Sequence, residues 1–232
     1  MLRTIRAIPS WCGGAAVPED HLLMQHLLLL GDSIFDNASY AGSGKDVLAK
    51  LQAFLPLSAK ATLLARDGAV IEAIIEQIGR LPSDTSLFVI SAGGNDALRA
   101  SGVLLEPASS VAESLGKILG VRDAFAANYR RLLDRASACR LPFAVCTIYD
   151  VQLPDPSQRR LANLALGILN DVITREAVSR RVPIIDLRVM LTDHSHFANA
   201  IEPSEVGSAA IASAINQLAL GQGGAISVYT GR

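Results

Sequence analysis

Charge of one sign is missing from this chain: 21 Lys and Arg stand against 22 Asp and Glu, a formal net charge of −1. The two signs are interspersed, which excludes an electrostatic nucleic-acid groove and a polybasic membrane patch. Aromatic residues make up only 5% of the chain, too few for a base-stacking platform. The three cysteines, Cys12, Cys139 and Cys146, form no CxxC pair and no metal-ligand spacing. Cys139 and Cys146 flank or lie in an apolar stretch and read as small core residues, and Cys12 as a free surface thiol. This usage predicts a reducing, cytoplasmic setting. Of the four histidines, His21, His26, His194 and His196, only the last two are close, and an i, i+2 pair in a loop makes no zinc site. No metal and no organic cofactor is therefore expected. Long hydrophobic runs are absent as well. Leu27–Leu30 is too short to span a membrane, and residues 1–25 lack the apolar core of a secretory signal.

What the chain does have is hydrophobic substance. Half of its 232 residues are apolar and 19% are charged, enough for one sizeable domain. Met24 directly precedes the first clear strand, so residues 1–23 read as a dispensable extension and 24–220 as the domain. The glycine-rich residues 221–232 read as a flexible tail. Short apolar runs predict strands at His26–Leu30, Ala61–Ala65, Leu87–Ser91, Phe143–Ile148 and Pro183–Leu187. Helical spacing predicts helices at Lys45–Phe54, Val70–Gly79, a broken stretch from Pro107 to Ala138, Ser157–Arg180 and Pro203–Leu220. The alternation implies an α/β fold, a flavodoxin-like three-layer α/β/α arrangement with a five-stranded parallel sheet in the order 2-1-3-4-5.

Ligands of such sheets bind at the carboxyl ends of the strands. There the first strand runs into Gly31-Asp32-Ser33, and the third into Gly93-Gly94-Asn95-Asp96. Ser33 is the candidate nucleophile. It needs a base for its proton, donors for an oxyanion and a group to orient the base. The Ser33 N–H, Gly68 after the second strand and the Asn95 amide are the candidate donors. Asp32, beside the nucleophile, is expected to organise the turn by accepting backbone N–H groups, and Asp96 to be structural. Gly42-Ser43-Gly44-Lys45 hints at a phosphate loop, but residue 46 is Asp, and no GxGxxG follows the first strand.

Gly31-Asp32-Ser33-Ile34, then Gly68, then Gly93-Gly94-Asn95-Asp96 resemble the first three blocks of the SGNH/GDSL hydrolase family. The resemblance extends from Met24 to about Leu220. It implies a serine hydrolase of carboxylic esters, with Ser33 as nucleophile and Ser33, Gly68 and Asn95 as the oxyanion hole. The implied partner is a small-molecule ester. Short acyl groups are expected, since no long apolar lid segment is visible.

The last block departs from the family pattern, an Asp-x-x-His followed by Pro and a helix. Aligned on Pro203-Ser204, the family histidine falls on Glu202 and its aspartate on Asn199. An intact Asp-x-x-His lies upstream at Asp193 and His196. An imidazole near pKa 6.5 is the better base at neutral pH, whereas a carboxylate near 4.3 needs strong desolvation. Asp193 and His196 are therefore the expected orienting and base residues, with Glu202 the alternative base or merely an anion at a helix start. Two rival readings follow: a catalytically altered family member that binds an acyl or glycan ligand, and a flavodoxin-like binder of a small molecule or phosphate.

Overall fold

The structure, a computed structural model, describes residues 26–221. The expectations for residues 1–23, Cys12, His21 and, apart from Gly221, the tail fall outside the described residues. Five parallel strands form one sheet in the order β2-β1-β3-β4-β5, as expected. They are β1 (His26–Leu30), β2 (Lys60–Leu63), β3 (Leu87–Ile90), β4 (Phe143–Cys146) and β5 (Ile184–Ile185).

The run of four leucines in β1 is apolar throughout because both faces of the sheet are covered. Side chains alternate across a strand, so Leu28 and Leu30 enter one core while Leu27 and Leu29 enter the other. The first core is closed by α3 (Ile71–Ile78), α5 (Val111–Ser137) and α6 (Pro156–Ser179), the second by α2 (Val47–Phe54) and α8 (Glu205–Ala219). In α3 the buried Ile71, Ile74 and Ile78 share a stripe, and Glu72 and Glu76 lie on the exposed face.

The expected broken stretch from Pro107 to Ala138 is one long helix, α5. Ser110 caps it by accepting the Glu113 N–H, and Gly116 and Gly120 sit where nothing crowds them. The carboxyl half of α5 packs into the core through Phe125, Tyr129, Leu132 and Leu133. Both α5 and α6 precede the strand they pack on, so their amino-terminal halves stand at the carboxyl edge of the sheet. Short elements absent from the sequence reading complete that edge: α1 (Ala38–Ala41), α4 (Gly94–Ala100), α7 (Leu187–Met190) and 3-10 turns at Ser101–Leu105 and His194–His196. No described helix is long and apolar enough to cross a membrane.

Candidate active site

The turn that carries Ser33 is built around a glycine that nothing else can replace. Gly31 has φ +140°, and a Cβ there would lie 2.2 Å from the carbonyl oxygen of Ser91. Gln77, buried on α3, donates to Gly31 O at 2.9 Å and accepts from Gly31 N at 2.7 Å. The strand end is thereby fixed from two sides. Asp32 turns inward, accepting from Ser91 Oγ at 2.9 Å and from the Ile34 N–H at 3.3 Å, which is the turn-organising role expected of it. Burial pushes its carboxyl up to about 6, against the hydrogen bonds from Ser91 and Ile34. Ser33 is left lining a cavity of about 490 Å³.

The first group that Ser33 meets there is Glu202. Ser33 Oγ donates to Glu202 Oε1 at 3.0 Å. Glu202 is 5% exposed, and its Oε2 is buried without a hydrogen-bond partner among the described residues. Burial raises its carboxyl to about 7; the hydrogen bond from Ser33 opposes that rise, and the charges of Asp67 and Asp32 add to it. The expectation of a helix-start anion fails for a local reason. Helix α8 begins at Glu205 and is capped by Ser204, whose hydroxyl accepts the Val206 and Gly207 N–H groups. Glu205, in the first turn, is the acid at the helix start, and it pairs with Lys45 and Lys50. Glu202 lies before the cap, beside the bridge between Phe197 and Pro203, where no helix donor reaches it.

Asn199 supports that placement, since its Oδ1 accepts the N–H groups of Ile201 and Glu202 at 2.9 and 3.0 Å. Tyr149 donates its hydroxyl to the carbonyl of Ile201, closing the other side. An imidazole base needs an orienting carboxylate for its second N–H; a carboxylate base has none to orient. A second charge at residue 199 would only repel Glu202, and a neutral amide that holds its backbone suits it better.

His196 and Asp193 meet each other instead of Ser33. The Asp193 carboxylate accepts the Ser195 N–H at 2.8 Å, and His196 Nδ1 accepts the Asp193 N–H at 3.1 Å, a reciprocal cap on the 3-10 turn. Neither residue lines the cavity. The Asp-x-x-His spacing that marked the pair as base and orienter is also the spacing of a capping box. Replacement His196→Ala should leave ester turnover within about twofold of wild type and cost about 1 kcal/mol of stability. Steady-state kinetics and a denaturation curve check both.

Asn95 lines the cavity with Ser33 and donates one amide hydrogen to Ala69 O at 3.1 Å, leaving the other to point elsewhere. The N–H groups of Ser33 and Gly68 donate to no other described residue. Gly68 is in the loop between β2 and α3, next to cavity-lining Asp67. Asp96 is structural, as expected: it accepts the Ile71 N–H at 3.1 Å and ties α4 to α3.

The profile of the GDSL-like lipase/acylhydrolase family matches residues 29–210. The chain belongs to this family. It is accordingly a carboxylic ester hydrolase of the GDSL type. Solved structures of the same fold include the extracellular lipase of Streptomyces rimosus, at 17% identity over 82% of this chain and 99% of that one, TM-score 0.61. Phospholipase A1 of Streptomyces albidoflavus NA297 shares 19% identity over 84% and 99%, with a TM-score of 0.64. A lipolytic protein of the G-D-S-L family from Veillonella parvula shares 17% over 84% and 96%, TM-score 0.62. No curated protein sequence matches significantly. This GDSL site contains features that the sequence did not announce. Tyr40 donates to Asp67 Oδ2 at 2.7 Å, and the apolar wall opposite is furnished by α4, the following 3-10 turn, α5 and α6. No local motif marks either.

Proposed function

We propose that the protein hydrolyses esters of an apolar acyl group through an acyl-enzyme on Ser33, with Glu202 as the proton acceptor and donor. The observation that carries this reading is the hydrogen bond from Ser33 to a buried carboxylate whose affinity for a proton is raised to about 7. A base poised near the working pH can take a proton and give it back.

Glu202 takes the proton as Ser33 Oγ attacks the ester carbonyl carbon. The oxyanion forms toward the N–H groups of Ser33 and Gly68 and the Asn95 amide. Collapse breaks the bond to the alcohol oxygen, which leaves with the proton from Glu202. Water then attacks the acyl carbon, giving its proton to Glu202, and Ser33 departs as the leaving group and recovers that proton. No atom or charge is left over, and neither metal nor organic cofactor enters.

The cavity supports a longer acyl chain than the short one expected from the sequence. At about 490 Å³ it has the size of a pocket for a drug-sized ligand. Leu98, Val103, Leu104, Ile118, Leu166 and Leu169 supply much of its wall. A medium-length acyl chain running along this wall from Ser33 is the best occupant. The free thiols Cys139 and Cys146 support the cytoplasm as its compartment.

Labelling with a fluorophosphonate probe, followed by mapping of the adduct, tests the reading. Stoichiometric phosphonylation of Ser33, lost in Ser33→Ala, is the expected result. Folded protein that takes no adduct would overturn it in favour of a ligand-binding role.

A further inference from the structure

Ser33 stands at the end of the strand that divides the site. Toward β3 and β4 lies the apolar wall of α4, α5 and α6. Toward β2 lie Tyr40 and Asp67. The two sides differ in charge as well as in polarity. Three carboxyl groups, those of Asp32, Asp67 and Glu202, line the cavity, and among the described residues no lysine, arginine or histidine does. Asp36 stands behind Asp67, its Oδ2 accepting the Asp67 N–H at 3.0 Å. The hydroxyl of Tyr40 is held well above its usual range, to about 12, by the hydrogen bond to Asp67 and the charges of Asp67, Glu202 and Asp36.

Several cations of the surrounding elements are paired with acids that do not line the cavity. Lys45 and Lys50 meet Glu205 at 3.1 and 2.7 Å, and Arg188 pairs with Asp186. Lys117 pairs with Glu106 at 3.0 Å. Arg66, next to Asp67 in sequence, lines a separate hollow with Glu76 and Arg80. Glu202, which lines the cavity, has its Oε2 buried without a hydrogen-bond partner among the described residues.

We infer that the side of the site formed by Tyr40, Asp67 and Glu202 receives the alcohol portion of the ester and selects a cationic or uncharged alcohol over an anionic one. An acyl chain in the apolar cavity leaves the alcohol oxygen beside Glu202 and the rest of the alcohol against Asp67 and Tyr40. Because Glu202 takes up a proton during the attack, the lasting charge here is that of Asp67, backed by Asp36: a positive head group gains from it, and a phosphate, sulfonate or carboxylate is repelled. The inference rests on the proposed hydrolase reading.

Three octanoate esters test it: those of choline, of its uncharged isostere 3,3-dimethylbutanol and of 3-sulfopropanol. At low ionic strength kcat/KM should favour the choline ester over the uncharged one by about tenfold and disfavour the sulfonate by a similar factor. Salt at about 0.5 M should shrink both ratios, because the carboxylate of Asp67 is exposed to solvent and is screened by salt. In Asp67→Asn the ratio of choline to uncharged ester should fall to within about twofold. Equal turnover of all three, or an unchanged ratio in Asp67→Asn, would overturn the inference. The corresponding ketones, titrated calorimetrically, read the same preference as binding. If no ester is turned over, the hydrolase reading fails, while the ketone series still decides the charge preference.

Discussion

Glu202→Gln should lower kcat/KM by about a thousandfold on an octanoate ester, the scale on which positioned proton transfer contributes to catalysis. The amide keeps the size of the side chain and can still meet Ser33, but it cannot take the proton. In the wild-type protein kcat/KM should rise with pH through an inflection near 7, since the ionised carboxylate is the active form. Burial of the carboxyl sets that inflection first; the hydrogen bond from Ser33 lowers it, and the charges of Asp67 after β2 and of the buried Asp32 on the turn after β1 raise it. The same replacement should stabilise the fold. The folded protein holds Glu202 above its ordinary range, so it favours the protonated form. The stability associated with that proton is complete below about 4.5 and is lost as pH rises through about 7. Glutamine carries no such charge. Glu202→Gln should therefore be near neutral for stability at pH 4.5 and stabilising by about 3 kcal/mol at pH 8. Chemical denaturation at the two pH values, alongside the kinetics, checks both halves. Loss of activity with gain of stability is the signature of a group held in place for its chemistry.

Gly31→Ala should produce the opposite pairing, with activity and fold lost together. Alanine at φ +140° is strained, and its methyl would lie 2.2 Å from Ser91 O, at the seam between β1 and β3. That oxygen belongs to backbone and has nowhere to go while the strands stay paired. Moving it would also disturb Ser91 Oγ, which holds Asp32, and the contact of Gln77 with both polar groups of Gly31. Strain and overpacking together should cost about 4 kcal/mol. A lower thermal midpoint and loss of Ser33 labelling are expected. A variant as stable as wild type would show that the seam is looser than these distances imply.

The fold was legible because its period signals were strong. An unbroken leucine run in β1 allows no face to be solvent, and the isoleucine and glutamate spacing of α3 allows no strand. The long α5 is harder to read as one helix because Gly116 and Gly120 weaken helix propensity, which packing of its carboxyl half overrides. That Ser33 and Asn95 line one cavity was legible from glycine-rich turns after apolar strands. The base was harder. Asp193 and His196 carry a spacing that serves a triad and a capping box equally, and the choice between them depends on where the chain runs between Leu191 and Pro203. An ordinary carboxylate pKa and a helix start at Pro203 rank Glu202 as only the alternative base. Both assumptions are matters of burial and of a cap one residue further along, at Ser204, and neither is written in local sequence. The charge arrangement at Tyr40 and Asp67 is assembled from segments joined only by the sheet order, so no motif could have announced it.

The most direct measurement is the rate of fluorophosphonate labelling at Ser33, followed across pH in wild type, Glu202→Gln and His196→Ala. The predicted result is a wild-type rate that climbs through an inflection near pH 7, an unchanged profile in His196→Ala, and a rate in Glu202→Gln that is low and has lost the inflection. Labelling that survives in Glu202→Gln with its pH dependence intact, and disappears in His196→Ala, would contradict the assignment of Glu202 and return the base to His196.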